Sequence, residues 1–120
     1  MERRFRLTHR KDFHQVRQNG KTFPHPLVVM VVAPNSLVIS RVAVITGKSI
    51  GNAVERNRVK RRIRACIQTI WPTMIAGWDL IFLARRRALT CKFSELLLTI
   101  QNLVKDAGLI LPVNTNASTE

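Results

Sequence analysis

The tract Gly51–Trp71, GNAVERNRVKRRIRACIQTIW, leaves this 120-residue chain the least choice of backbone. Val59, Ile63, Cys66, Ile67 and Ile70 recur at three- and four-residue spacing, which on an α-helix gathers them within about 100° of arc. Pro72 lacks the backbone donor a helix interior needs, so the pattern predicts a helix from about residue 52 to Trp71. Such a helix must bury its apolar side against another element.

Short apolar runs supply that element. Leu27–Ala33, LVVMVVA, is rich in β-branched residues and too short for most helices, so it reads as a well-buried strand. Arg41–Ile45 (RVAVI) and Trp78–Ala84 (WDLIFLA) read as two more, and Lys21–Phe23 as a short edge strand before the extended Pro24-His25-Pro26. Thr8 is expected to cap a first helix over residues 9–18, closed by Asn19-Gly20. A last helix, about Cys91–Ala107, puts Phe93, Leu96, Leu97, Ile100, Leu103 and Val104 on its core face, with Gly108 as its cap. Residues 1–7 alternate basic and apolar side chains and suggest an extended basic arm, while 112–120 are polar and short-sided and suggest a flexible tail. The order predicts an α+β fold, a two-layer α/β sandwich, with one domain over residues 1–111.

Charge narrows the function. The chain carries 20 Lys and Arg against 7 Asp and Glu, a net charge of +13, which favours a polyanionic partner, nucleic acid ahead of an anionic membrane. No run approaches the roughly 20 apolar residues that span a bilayer, and the basic N-terminus is followed by no apolar stretch, so a cytoplasmic protein is expected. Cys66 and Cys91 form no CxxC and read as buried free thiols.

Six of the basic residues, Arg56, Arg58, Lys60, Arg61, Arg62 and Arg64, fall within nine positions of the long helix, with Glu55 the one acid beside them. On a helical wheel Asn57, Lys60 and Arg64 lie immediately beside the apolar arc, where they would line a groove between helix and sheet. Arg58, Arg61 and Arg62 point further outward. Arginine's planar fork suits phosphate, and the glycine-containing loop before the helix adds backbone N–H groups. GKSIGNAV is not a P-loop, because its spacing and ending are wrong. Phe82 and Phe93 fall in core patterns, whereas Phe13, on the basic first helix, fits either packing or base stacking. Catalytic patterns are missing: there is no HExxH or zinc spacing, and the acids are scattered singly, serving solubility and local pairing. A ribosomal or general RNA-binding protein is one reading of such a helix; a DNA-reading helix-turn-helix fits poorly beside three strands.

GNAVERNRVKRRIR resembles the signature of the protein subunit of bacterial ribonuclease P, an Arg-Asn-Arg followed by x-Lys-Arg, here Arg56, Asn57, Arg58, Lys60 and Arg61. The likeness extends from LTHRKDFHQVRQNG through RVAVITGKSIGNAV and WDLIFLARR to the final helix. It implies an αβββαβα sandwich with a left-handed βαβ crossover, and an endoribonuclease whose catalytic centre lies in an RNA subunit with Mg2+. It also implies two partners, the catalytic RNA and the 5′ leader of precursor tRNA, and no DNA. By position, Arg56, Asn57, Arg58, Arg61 and Arg62 would contact the catalytic RNA, with Asn57 near RNA-bound Mg2+. Phe13, Arg17, Met30, Lys60 and Arg64 would face the leader. Arg17 and Met30 stand where many relatives carry aromatics, which favours an electrostatic or arginine-stacking grip over base stacking. Arg85-Arg86-Arg87 is a further basic cluster without an assigned role.

Overall fold

The chain forms, in order, α1 (Arg10–Asn19), β1 (Lys21–Phe23), β2 (Val28–Pro34), β3 (Arg41–Ile45), α2 (Ala53–Ile70), β4 (Trp78–Ala84), α3 (Arg87–Thr90) and α4 (Phe93–Asp106). This is a computed structural model, and it describes residues 2–111. The flexible tail expected at 112–120 lies outside the described residues.

One four-stranded sheet runs in the order β1-β2-β4-β3. β2 pairs antiparallel with β1 and β4, and β4 pairs parallel with β3 through the α2 crossover. The apolar run of β2 divides by alternation. Val28, Met30 and Val32 join Leu80, Phe82 and Val42 in a cluster with Ile63 and Ile67 of α2 and Leu96 and Ile100 of α4. Val31 and Ala33 join Ile81 and Ala43 in a second cluster with Val16 of α1 and with Leu7. LVVMVVA shows no polar alternation because β2 is covered on both faces. The sheet with α2 and α4 forms the main two-layer sandwich, and α1 lies across part of the other face. There Val29, Leu83 and Ile45, in register across three strands, remain half-buried.

The strands at 41–45 and 78–84 match their expected limits, and Gly108, at φ 75°, ends the last helix as expected. Four local expectations change. His9, not Thr8, occupies the α1 cap position, without a side-chain cap. Gly20 has φ −83°, so a left-handed turn is not its reason; a Cβ there would crowd the carbonyls of Val16 and Val32. The N-terminal arm is not simply extended. Arg3–Phe5 makes a 3-10 turn that sets the Phe5 ring 5.2 Å from Trp71, and Leu7 then donates to the Val42 carbonyl at 2.9 Å along the edge of β3. Phe93 is 43 % exposed instead of core, because α4 begins at that residue and leaves no preceding turn for its side chain to cover.

Candidate nucleic-acid interface

The basic helix starts at a reciprocal cap. Glu55 N–H donates to Asn52 Oδ1 at 2.9 Å, and Asn52 N–H donates to Glu55 Oε1 at 3.0 Å. Gly51 just before it has φ 144°, and a Cβ there would run into the Glu55 carboxylate. The single acid of the tract is thus engaged in holding the helix start. Among the described residues no cation of α2 pairs with a carboxylate. An arginine-rich helix without internal neutralisation has a strong electrostatic demand for an external anion.

The apolar arc of α2 is buried as the wheel predicts: Val59, Ile63, Cys66 and Ile67 are at 0 % exposure. The basic residues fall on two flanks of that arc. On one, Asn57 is exposed while Lys60 and Arg64 are half-buried. Arg64 reaches a cleft of about 200 Å³ at the edge of β3, which Phe13 enters from α1 and to which Arg6 and Thr8 contribute from the arm. Structure therefore brings Phe13 and Arg64 together, with Lys60 one turn before Arg64 on the same flank. Arg17 is exposed on α1 but does not line the cleft. Met30 is a correction: it is fully buried on the opposite face, against α2 and α4, so strand alternation keeps it from any leader on the α1 side. Its neighbour Val31 is the residue that faces α1.

On the other flank and outer face, Arg58 and Arg61 are exposed. Arg62 does not point outward as expected. It is half-buried, and its Nη2 donates to the Cys91 carbonyl, tying α2 to the joint between α3 and α4. Arg56 is also partly structural, donating from Nη1 to the Gly51 carbonyl at 2.8 Å. Both thiols are free as expected, but only Cys66 is fully buried; Cys91 is half-buried. Burial pushes the Cys66 thiol up to about 11.

One constellation escaped the sequence reading. Arg41 of β3 donates from Nε and Nη2 to the two Asp79 oxygens of β4 at 2.9 and 2.7 Å, and from Nη1 to Asp12 of α1 at 3.1 Å. Asn35 adds a donor to Asp79 at 2.8 Å. The hydrogen bonds to Asp79, outweighing the desolvation that opposes them, raise the Arg41 pKa above its usual value. Two acids read as scattered thus converge on one guanidinium that fastens α1 beside Phe13. The available signal was a lone charge at or near the start of each of two apolar strands. A larger cavity, about 620 Å³, adjoins this network, and no α2 residue lines it.

Asn57 offers one neutral amide oxygen, and among the described residues no three His, Cys, Asp or Glu side chains converge. These residues do not fit a protein-only metal site. Among the described residues no helix is long and apolar enough to cross a membrane.

An arginine-rich helix beside a cleft, on a mixed α+β sandwich, defines a basic polyanion-docking protein. The chain belongs to the ribonuclease P family, whose model matches residues 1–108. It is 38 % identical over 115 residues to a ribonuclease P protein component of Dehalococcoides mccartyi, covering 96 % of this chain and 94 % of that one. A ribonuclease P protein component of Roseiflexus castenholzii is 36 % identical over 111 residues, 92 % of this chain and 91 % of the relative. The fold is that of the RNase P proteins of Staphylococcus aureus (TM-score 0.80, 24 % identity, 88 % of this chain and 97 % of that one) and Thermotoga maritima (TM-score 0.77, 24 % identity, 84 % and 96 %).

Proposed function

We propose that this chain is the protein subunit of a ribonuclease P ribonucleoprotein, which binds the catalytic RNA and the 5′ leader of precursor tRNA and so assists endonucleolytic removal of the leader. The observation that carries this reading is the division of α2 into two basic flanks around one core arc, one of which enters the cleft with Phe13. Exposed Arg58 and Arg61, with Asn57, meet phosphates of the catalytic RNA; Arg56 and Arg62 hold the helix and its neighbours in place as they do so. Lys60 and Arg64 grip the leader electrostatically, and Phe13 supplies the one aromatic at the cleft. Chemistry belongs to the RNA and its Mg2+, in keeping with a protein whose Glu55 is engaged in a helix cap and whose Asp12 and Asp79 are engaged in an ion network.

Affinity for precursor tRNAs of graded leader length, with and without the RNA subunit, tests the reading. Lys60→Ala and Arg64→Ala should lose leader-dependent affinity while holoenzyme assembly persists. Arg58→Ala should weaken RNA-subunit binding and reduce the log–log salt slope by at most about one unit per lost phosphate contact. Equal losses for leaderless and leader-bearing substrates would remove the leader assignment, and cleavage by the protein without RNA would overturn the whole.

A further inference from the structure

Arg85, Arg86 and Arg87 take no part in the sites above, and we propose that with Lys92 they form a second docking row for the backbone of the catalytic RNA, continuous with the Arg58 flank of α2 and separate from the cleft. The identity of that RNA rests on the ribonuclease P reading; the surface itself rests on the following geometry.

All four side chains belong to exposed residues, and among the described residues none pairs with a carboxylate. Their backbone is fixed. Arg85 N–H donates to the Leu27 carbonyl at 3.0 Å, and the carbonyls of Arg85, Arg86 and Arg87 accept from Ala88, Leu89 and Cys91 at 2.9, 3.0 and 3.1 Å. Ala88 and Leu89 are anchored in the core shared with α2 and α4, so the arginines cannot swing away together with their backbone. A preorganised row loses less entropy on binding than a mobile basic tail.

The row adjoins α2 on its outer flank. Arg62 reaches Cys91, four residues beyond Arg87 and one before Lys92, and Arg58 lies one turn earlier on the same side of α2. The buried arc of α2 stands between this shoulder and Lys60, Arg64 and Phe13, which places it with the catalytic RNA and not with the leader. His25 adds a donor: its Nδ1 accepts from Leu27 N–H at 3.0 Å, so the neutral ring carries its proton on Nε2, in the same shallow cavity that Arg85 lines. Arginine forks and an imidazole N–H match phosphate oxygens.

The test compares wild type, Arg86→Gln/Arg87→Gln, Arg86→Lys/Arg87→Lys and Arg58→Ala for binding to the ribonuclease P RNA between 0.05 and 0.3 M salt, with leader-bearing and leaderless precursor tRNA binding measured on the assembled holoenzyme. A slope of roughly 0.9 per phosphate implies about a fivefold loss per contact at 0.15 M salt, so the double Gln variant should bind the RNA roughly 30-fold more weakly and shed close to two units of slope. The Lys variant should retain most of the slope, and the ratio of leader-bearing to leaderless affinity should stay at the wild-type value. An unchanged slope in the Gln variant, with Arg58→Ala showing its loss, removes the second row alone. Loss of leader preference at unchanged RNA affinity gives the surface to the leader and overturns the proposal. If Arg58→Ala also leaves the slope unchanged, the ribonuclease P RNA reading of α2 falls with it.

Discussion

Arg41→Met keeps the apolar stem of the side chain and removes its guanidinium, and with it three charged hydrogen bonds of 2.7–3.1 Å to Asp79 and Asp12. Asp79, only 5 % exposed, would keep the Asn35 donor at 2.8 Å but lose its counter-charge. Breaking a buried ion pair from one side costs about 3–5 kcal/mol. The Arg41 side chain is 18 % exposed, so water softens the loss, and about 2–4 kcal/mol is the expected cost. For a domain of this size that is roughly 8–16 °C in Tm. Thermal and urea melts followed by circular dichroism would measure it. The double variant Arg41→Met/Asp79→Leu should recover much of the loss, since neither charge remains buried. A loss below about 1 kcal/mol in the single variant, or a double variant no better than the sum of its singles, would refute the view that this pair holds the α1 side of the sheet.

Asn52→Ala removes the side-chain half of the reciprocal cap on α2 and should cost about 1 kcal/mol in urea melts, while an unchanged midpoint would show the cap to be dispensable. Met30→Ala leaves a cavity under α2 and α4 and should cost about 2–5 kcal/mol, yet the folded protein should keep its full preference for leader-bearing substrate; a selective leader defect would put Met30 back at the leader. Cys66 should resist alkylation at pH 8 while Cys91 reacts, as read by peptide mass spectrometry, and equal rates would contradict the burial. The Cys66 pKa rises from 9.0 to about 11 on folding, so the unfolded chain releases this proton first, and the thiol's contribution to stability falls as pH climbs through 9 toward 11.

The long helix was legible because one stretch carries both the apolar arc from Val59 to Ile70 and the proline at 72; its Asn52/Glu55 cap emerged only with the structure. The strands at 41–45 and 78–84 were legible for the same reason, local composition bounded by turn residues. Phe93 was misjudged because periodicity does not mark which residue starts the helix, and Met30, assigned to the leader by resemblance, because a run covered on both faces does not show which side each residue serves. Arg62 looked outward on a wheel that contains no neighbouring helix joint.

By itself, then, the sequence determined the elements other than the short α3, their order, the core arc of α2 and the demand for a polyanion, because helix and strand periods and net charge are properties of neighbouring residues and of composition. Only tertiary structure decided which side of the sheet each β2 residue serves, which basic side chains stay exposed and which brace the fold. It alone brought Arg41 onto Asp12 and Asp79, 29 and 38 positions away in the chain. Such pairings depend on strand order and register, which are set by closing long loops around a shared core and leave no local periodic trace in any one segment.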